Sequence, residues 1–578
     1  MKKPFKLPLF LLALIFVVSC GKDSKEEKNE TVDKDKINSS VDLDLKGTIE
    51  FEDFVPKGTP YVIALDIKSI VEKGKLDELS DTKIYKMAIE ELRSESKKVA
   101  RFIEEVVNDP KITGLDFRSN VVAFVHLENI DEEEAAAVLA FGIRNEDDFK
   151  DFIEEIFNLA DFEAELEEED NYNFYTIDRD VILGWDDSKA IFIGGGGDLE
   201  DVLKDLLELE KDESIVSNKD FKKFLKEKED ISMWISTDSD QMQDLIKDQG
   251  REMKRKQRQF DVFNEIDVDE IMSFLKSFSV GMHLKFDDDN ISLKTNFNLN
   301  EDTKDMYDEF GFGDVSFEKK LLNYFPKESF GTFSFSANFE NMYDYLSDSG
   351  ALDPLINEIE NELFFDIEDI LDAIGGNFIV SLIDFDTVET ETYDWYSESY
   401  RTRDQLVPLI GFAMDLNLNR EFENLIEFIL DNAPGLDDYG DYYSVDADGV
   451  PIYFAFNSNA IFITNHRESI RNFEDGGYIA DKSLISSEIA SDITKNNVFA
   501  YLNINTDHYP YSITEELDLD NYETRTILNI WNEFAESIVL KADMESVEMI
   551  FNMKVNKGEN SLKTIISVID NAVSNFRL

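Results

Sequence analysis

Cysteine is nearly absent from this chain of 578 residues, in which Cys20 is the only one. A single thiol forms no intrachain disulfide, and the sequence after Cys20 offers no thiolate to bind a metal or attack a substrate. The folded part must therefore be held by its apolar core and its hydrogen bonds. A hydrophobic content of 42% with 46 Phe is ample for such a core and excludes global disorder.

Histidine is the next scarce residue, and nucleophile motifs are missing as well. The four histidines, His126, His283, His466 and His508, show neither the HxH nor the HxxxH spacing of a zinc site. We expect the first two within strands and the other two just after strands, as structural or surface residues. No Gly-x-Ser-x-Gly elbow occurs either. The sequence thus offers no assembled catalytic constellation.

Positive charge is also in short supply, since 58 Lys and Arg against 125 Asp and Glu give a net charge of −67. Such a polyanion disfavours nucleic acid as a partner and favours cations or cationic proteins. A solvated coat or an adaptation to salt explains the same composition, so these alternatives stay open. One basic stretch interrupts the acidity and is a candidate for docking an anionic surface: Arg251, Lys254, Arg255, Lys256 and Arg258.

We expect no cofactor, and calcium is the one weak candidate. Hard oxygen ligands converge in three acidic clusters, although none fits the twelve-residue EF-hand loop. Their members are Asp287, Asp288 and Asp289; Asp437, Asp438 and Asp441; Asp446 and Asp448. The four glycines at 194–197 are a weak phosphate-loop candidate, because no Lys-Ser/Thr follows and Asp198 is placed to cap the next helix.

What is present at the N-terminus is a leader. Lys2, Lys3 and Lys6 precede an apolar run over 7–18, which ends in Val-Val-Ser-Cys at Cys20. The pattern resembles a bacterial lipoprotein signal, which implies cleavage of residues 1–19 and acylation of Cys20. An ordinary secretory signal is the alternative. Residues 20–48 are polar and predict a disordered tether. The predicted location is the cell envelope, on the outer membrane through a lipid anchor.

The rest of the chain contains an internal sequence repeat. Val-Pro-Lys ending at Lys57 returns as Phe-Pro-Lys ending at Lys327, 270 positions later. Residues 188–193 and 458–463 share five of six residues at the same offset. Two amphipathic helices follow the same spacing, at an offset of 273: Phe149, Phe152, Ile153 and Ile156 in one, Phe422, Leu425, Ile426 and Ile429 in the other. We predict two repeats, residues 49–310 and 311–578.

Each repeat predicts an α+β fold. A strand (residues 61–67 or 331–337) is followed by helices, two strands, the amphipathic helix, a strand pair, and a last strand with a closing hairpin. That hairpin is expected over 278–298 and 537–569. The order predicts a mainly antiparallel sheet with helices packed on one face, and it is compatible with a ferredoxin-like core.

An aromatic insertion distinguishes the second half. Tyr393, Trp395, Tyr396 and Tyr400 lie between two predicted strands, where the first half has only the short stretch 128–134. Tyr and Trp supply contact area at low entropic cost, so these four are the candidate binding residues. A loop folded back on its own domain is the alternative. Further aromatics gather at Tyr439, Tyr442 and Tyr443, and at Tyr509 and Tyr511.

The lipobox at Cys20, the acidic tether, the Val-Pro-Lys before Tyr-Val-Ile-Ala-Leu-Asp-Ile and the duplicated body together resemble a family of uncharacterised Bacteroidota envelope lipoproteins, held as a domain of unknown function. The resemblance implies a compartment and an architecture without an activity. The function we expect is a membrane-anchored binding or assembly module that is not an enzyme, with an envelope protein, glycan or peptide as partner. The alternatives are an envelope hydrolase of glycan or peptide that uses acidic residues, with or without calcium, and a salt-adapted structural spacer.

Overall fold

A computed structural model describes most of the chain after residue 53. The described residues are 54–129, 134–238, 242–244, 246–248, 250–251, 278–299, 301–309, 311–312, 316–348, 373–394, 399–432, 435–447, 449–510, 513 and 522–576. The predicted signal peptide, Cys20 and the tether lie outside them.

The chain divides into two compact units. The first comprises residues 1–292 and 555–578, and the second residues 293–554. The first unit is interrupted at residue 292, within β10 (Asn290–Asn298), whereas the boundary near residue 310 between the two sequence repeats stays a prediction. The last part of the chain belongs with the first unit, which sequence periodicity did not indicate.

The sheet of the first unit is antiparallel throughout its described pairings. Its strands are β1 (Tyr61–Leu65), β2 (Val121–Asn129), β3 (Glu134–Gly142), β4 (Leu166–Glu168), β5 (Asn173–Asp178), β6 (Val181–Trp185), β7 (Lys189–Gly195), β8 (Ile231–Ser236) and β9 (Ser279–Phe286). Neighbours pair in the order β4-β5-β6-β7-β3-β2-β1-β8-β9.

The second unit has the same strand order. Its strands are β11 (Gly331–Ser336), β12 (Ile374–Asp394), β13 (Ser399–Leu416), β14 (Leu436–Asp438), β15 (Tyr443–Ala447), β16 (Val450–Asn457), β17 (Ala460–Thr464), β18 (Val498–Asn503), β19 (Ala535–Ala542) and β20 (Ser546–Met553). They pair in the order β14-β15-β16-β17-β13-β12-β11-β18-β19-β20, all antiparallel. Each of β11 to β18 thus has the neighbours of the strand numbered ten lower.

The recurring Pro-Lys sequence has a definite role in this scaffold. Pro56 forms an isolated bridge with Ser214, and Pro326 forms the equivalent bridge with Ser483. The residue before each proline, Val55 or Phe325, is fully buried. The motif therefore fixes the entry of the chain into the first strand of each sheet.

Helices of the first unit are α1 (Ile67–Gly74), α2 (Lys83–Glu95), α3 (Lys97–Asn108), α4 (Glu146–Leu159), α5 (Leu199–Leu207) and α6 (Lys219–Lys226). Those that follow are α7 (Glu301–Glu309), α8 (Phe339–Asp348), α9 (Arg420–Asn432), α10 (Arg467–Glu474), α11 (Ala490–Ile493), α12 (Tyr522–Phe534) and α13 (Ser561–Phe576). Short 3-10 turns occur at Leu76–Asp81, Pro110–Thr113, Ile215–Ser217, Lys319–Tyr324, Ala480–Lys482, Leu484–Ser486 and Thr506–His508.

Local sequence explains why these helices form. In α4 the side chain of Asn145 accepts the N–H of Asp148 and so caps the helix, and the predicted core positions are all buried. The prediction for α4 is confirmed. In the matching helix α9 it is confirmed for Phe422 and Leu425, which are buried, and corrected for Ile429, which is 43% exposed. In α5 the side chain of Asp198 accepts the N–H groups of Glu200 and Asp201, also as predicted.

The fold class is confirmed as α+β with a large antiparallel sheet, but helices cover both faces of it. Val122 lies in one core cluster with Leu203 of α5, whereas its neighbour Val121 lies in another with Phe149 of α4. Adjacent residues of a strand point to opposite faces, so the expectation of helices on one face is corrected. The second unit behaves likewise, with Ala413 in one cluster and Leu416 in another.

Two further expectations differ from the structure. A ferredoxin-like core interleaves its strands, whereas β1 pairs directly with β2 and with β8, so that order is not confirmed. The closing hairpin ends at Met553, and residues 561–569, which were predicted as strand, belong to α13. Leu562, Ile565, Ile566 and Ile569 have the spacing of a helix face, which explains the outcome.

Within the described residues, we find no helix with the length and apolar character needed to cross a bilayer.

Candidate functional site

The segment predicted as an aromatic loop is a long β-hairpin. The hairpin of β2 and β3 ends at the pair Asn129 and Glu134, which corresponds by register to the pair Asp386 and Val407. From there β12 and β13 continue as a paired ladder to Asp394 and Ser399. We call residues 384–394 and 399–409 the β-arm. Eight added residues per strand extend it by about 25 Å beyond the first unit's hairpin.

The described part of the β-arm ends in a pair of tyrosines. Tyr393 lies opposite Tyr400 in the register, next to the last pair, Asp394 and Ser399. Trp395 and Tyr396 lie in the connection 395–398, outside the described residues. The expectation of a loop is thus corrected to an arm, and two of the four candidate residues are placed together near its end.

The edges of the β-arm have no neighbouring strand among the described residues. Pairing of β11 with β12 stops at Leu382, and pairing of β17 with β13 stops at Gly411. Strand edges of this kind present backbone N–H and C=O groups in the geometry that accepts another strand.

Aromatic side chains support the base of the β-arm. Phe385 contacts Phe330 and Tyr509, with ring centroids 5.3 and 5.9 Å apart. Phe330 and Tyr509 are 4.8 Å apart. Of the aromatic groups noted in the sequence, Tyr509 is therefore brought to the arm, while Tyr511 lies outside the described residues.

The turn after β17 is hydrogen-bonded to β13 at the base of the β-arm. Asn465 accepts the N–H of Ile410 and donates to the carbonyl of Pro408, at 2.7 and 2.8 Å. The corresponding residue of the first unit is Gly195, where an added Cβ would lie 2.3 Å from the carbonyl oxygen of Ala135. A glycine turn therefore suits the short hairpin, whereas an amide side chain holds the long one.

His466 begins a hydrogen-bond chain beside the base of the β-arm. Its Nδ1 lies 2.8 Å from the Oγ of Ser469, which lies 3.0 Å from the hydroxyl of Tyr478. Burial lowers the pKa of His466, against the opposing influence of Glu468, Asp384 and Asp386. Ser469 is fully buried, so no substrate reaches it in this conformation. His466 and Ser469 therefore have the contacts of residues that stabilise the start of α10, and Ser469 lacks the solvent access that a nucleophile needs.

The remaining tyrosine cluster lies at the turn between β14 and β15 and on β16. Tyr439 stacks on Tyr442 with centroids 4.8 Å apart, and Tyr442 meets Tyr453 edge-on. Tyr442 and Tyr453 are buried while Tyr439 is 55% exposed. This cluster is chiefly core, and it provides an exposed tyrosine for use as a control.

The acidic clusters serve turns where they are described. Asp438 accepts the N–H of Gly440, and Asp446 accepts that of Gly449; Asp287 pairs with Lys285 at 3.1 Å. The part of the chain that the structure describes contains no group of three or more His, Cys, Asp or Glu able to hold a metal. Of the basic stretch only Arg251 is described, and it pairs with Asp248.

Two supports of the β-arm, Asn465 and His466, were missed from sequence. The available signal was the contrast between Thr-Asn-His-Arg at 464–467 and the four glycines at the matching positions of the first half. Such a contrast marks a local difference in an otherwise shared scaffold, but without coordinates nothing linked it to the insertion some 60 residues earlier.

A family model for a domain of unknown function, DUF4836, matches residues 51–562. The chain belongs to this family. The DUF4836 match runs through both units, so the two sheets and the β-arm are parts of one family domain. No curated protein and no solved structure matches the chain.

Proposed function

We propose that this protein is a membrane-anchored binding or assembly module of the cell envelope and that its β-arm is the recognition element. The observation that carries the proposal is the arm itself, a ladder that extends one hairpin of a repeated scaffold and has a tyrosine pair next to its last described pair. The first unit forms the same strand order without a β-arm, so the fold does not require one. We therefore attribute the β-arm to function.

A protein strand is the partner that the β-arm suits best. Among the residues that the structure describes, no strand pairs with its edges, so the arm suits strand addition, in which main-chain hydrogen bonds give affinity and side chains give specificity. The aromatic residues at its end supply the type of contact that dominates protein interfaces. The acidic surface of the chain favours a partner with positive charge.

The first experiment compares the native protein with a variant whose arm is shortened. Residues 387–406 are replaced by 130–133, the connection of the first unit's own hairpin, so that both hairpins end alike. We expect crosslinking and affinity capture from intact envelopes to recover a near-stoichiometric protein with the native chain and to lose it with the short-arm variant. Equal recovery by the two proteins would reject the arm as the recognition element.

A second variant separates recognition from folding. Trp395→Ala with Tyr396→Ala is expected to weaken capture at least tenfold and to leave the melting temperature within about 2 °C, since both residues lie beyond the base of the arm. Tyr439→Ala is the matched control, because it removes an exposed aromatic elsewhere in the same unit. Loss of stability equal to the loss of capture would contradict the proposal.

We also propose that Cys20 carries the lipid anchor. The support is the leader of three lysines, an apolar run and Val-Val-Ser-Cys. Cys20→Ser is expected to move the protein from the membrane fraction to the soluble or secreted fraction, or to leave it as an uncleaved precursor. A mature, membrane-bound Cys20→Ser protein would contradict acylation at this residue.

A duplication of one ancestral unit is the origin we propose for the body. It is supported by the matching strand order, by the two Pro-Ser bridges and by sequence offsets near 270. On this account the shared sheet is scaffold, and the β-arm is what the second copy gained.

A further inference from the structure

The first unit contains a cavity that the β-arm does not involve. It has a volume of about 360 Å³ and lies between the segment before β1, the end of β8 and the start of α6. That volume is in the range of natural small-molecule sites, which start near 300 Å³. Its wall combines two lysines, two aspartates, hydroxyl groups and one tryptophan.

Trp234 is the apolar wall of the cavity. The residue is 1% exposed, and its ring packs on Phe221 and Phe224 with centroids 5.5 Å away in both cases. A buried tryptophan N–H usually finds an acceptor. Trp234 lines the cavity, so an acceptor oxygen of a bound ligand would be a suitable partner for its N–H.

Charges of both signs surround this wall. Lys57, Lys219 and Asp220 line the cavity, and within the described part of the chain none of them forms an ion pair. Asn218 caps α6 by accepting the N–H groups of Asp220 and Phe221. The N-terminus of α6, where the positive end of the helix dipole lies, is therefore at the cavity. Asp238 adds a second carboxylate to the lining.

The second unit shows that the scaffold does not need these residues. The bridges Pro56–Ser214 and Pro326–Ser483 fix the correspondence of the two segments. The residues five and six positions after Ser214 are Lys219 and Asp220. The residues at the same distances after Ser483 are Glu488 and Ile489. Trp234, opposite Val62 in the register, corresponds to Tyr501, opposite Thr332. The tryptophan and the charge pair at the start of α6 are therefore specific to the first unit.

We propose that this cavity binds a small zwitterion of the size of an amino acid or dipeptide. The ligand carboxylate lies against Lys57, Lys219 and the start of α6, because these provide positive charge. The ammonium group lies towards Asp220 and Asp238. The indole N–H of Trp234 donates to a carbonyl or carboxylate oxygen of the ligand.

The test titrates the full-length protein, in detergent, with alanine, phenylalanine and alanyl-alanine, followed by calorimetry. N-acetylalaninamide, which is close to alanyl-alanine in size and carries neither charge, is the comparison compound. We expect saturable binding of at least one zwitterion with Kd below about 1 mM and no binding of the blocked compound. Absence of binding by all three zwitterions, or equal binding of the blocked compound, overturns the proposal.

Variants locate the site. Lys219→Gln and Asp220→Asn are exposed changes that leave the fold intact, and each is expected to weaken binding about tenfold or more. Lys222→Gln, on the same helix but outside the cavity lining, is expected to bind as the native protein does. Trp234→Phe keeps the ring, removes the N–H, and is expected to weaken binding too. Native affinity in both Lys219→Gln and Asp220→Asn overturns the proposed site.

The two proposals fail separately. The short-arm variant is expected to bind the zwitterion with native affinity, because the cavity and the β-arm belong to different units. Loss of zwitterion binding on shortening the arm would contradict the location of the site in the first unit.

Discussion

Asp230 is a buried carboxylate at the start of β8 that connects several elements of the first unit. It accepts hydrogen bonds from Ser69, from the backbone N–H of Phe286 and from Lys73, whose ammonium lies 2.6 Å away. Its side chain is 2% exposed and that of Lys73 is 25% exposed. Removal of one partner from such a pair leaves a charge with little solvation, which is the costly case for buried ions.

Asp230→Ala is therefore expected to lower the free energy of unfolding by about 3 kcal/mol, as measured by denaturant titration. The matched control is Glu72→Ala on α1, whose pairing with Lys68 is 4.0 Å long and exposed on both sides. We expect the control to cost less than about 0.5 kcal/mol. Similar losses in the two variants would show that Asp230 is not an internal anchor.

His466 predicts a pH dependence of stability near the β-arm. Burial lowers its pKa below the ordinary 6.5, partly offset by Glu468, Asp384 and Asp386. The unfolded chain then takes up the proton before the folded one, so the free energy of unfolding falls as pH drops below about 6.5. The decrease in the free energy of unfolding ends at pH values below the pKa of His466 in the folded protein. The variant His466→Asn has no imidazole and therefore lacks this pH-dependent contribution.

We expect the melting temperatures of the native protein and His466→Asn to differ by a constant amount above about pH 7.5 and to converge as the pH falls to about 5. Calorimetry over this range gives the comparison. A gap that widens towards acid pH would mean that the carboxylates, and not burial, dominate His466.

At the scale of elements, α13 is the helix that returns to the first unit. The side chain of Asp570 accepts the N–H of Ile84 at the start of α2, and the N–H of Ser561 donates to the carbonyl of Asp287. Lys563 pairs with Glu78 at 2.9 Å. The contact with Asp570 gives an acceptor to a backbone N–H at the start of α2, a group that has no partner within the helix itself.

A chain that stops after residue 558 is expected to show faster amide hydrogen exchange in α1 and α2 than the native chain, with exchange in the second sheet unchanged. The control removes only residues 577 and 578. Native protection of α1 and α2 in the shortened chain would show that α13 is dispensable to the first unit.

Sequence reasoning at this scale succeeded where periodicity was strong and local. The spacing of Phe149, Phe152, Ile153 and Ile156 gave α4, and its cap at Asn145 lies directly before it. The same reasoning missed α13, because a helical spacing followed several strands and was interpreted as a continuation of them. It also underestimated β12 and β13, whose polar, charged continuations lack the apolar alternation that marks a half-buried strand.

At the scale of the whole molecule, a net charge of −67 opposes the compact state. Screening shortens the reach of this repulsion from about 30 Å at 0.01 M salt to about 8 Å at 0.15 M. We expect the melting temperature to rise over this range of sodium chloride, with sucrose at matched osmolality as the reference. A salt effect no larger than that of sucrose would show that the acidic coat is electrostatically neutralised within the fold.

The sequence by itself determined the α+β class, the buried face of α4, the cap of α5 at Asp198 and the candidate aromatics of the second half, because these depend on local spacing and residue type. Tertiary structure alone decided which strands are neighbours, that both sheet faces are covered, and that α13 joins the first unit. It also placed Asn465 and Phe385 at the base of the β-arm and gathered the wall of the cavity. Each of these depends on contacts between residues far apart in the chain, which leave no periodic signal in the sequence.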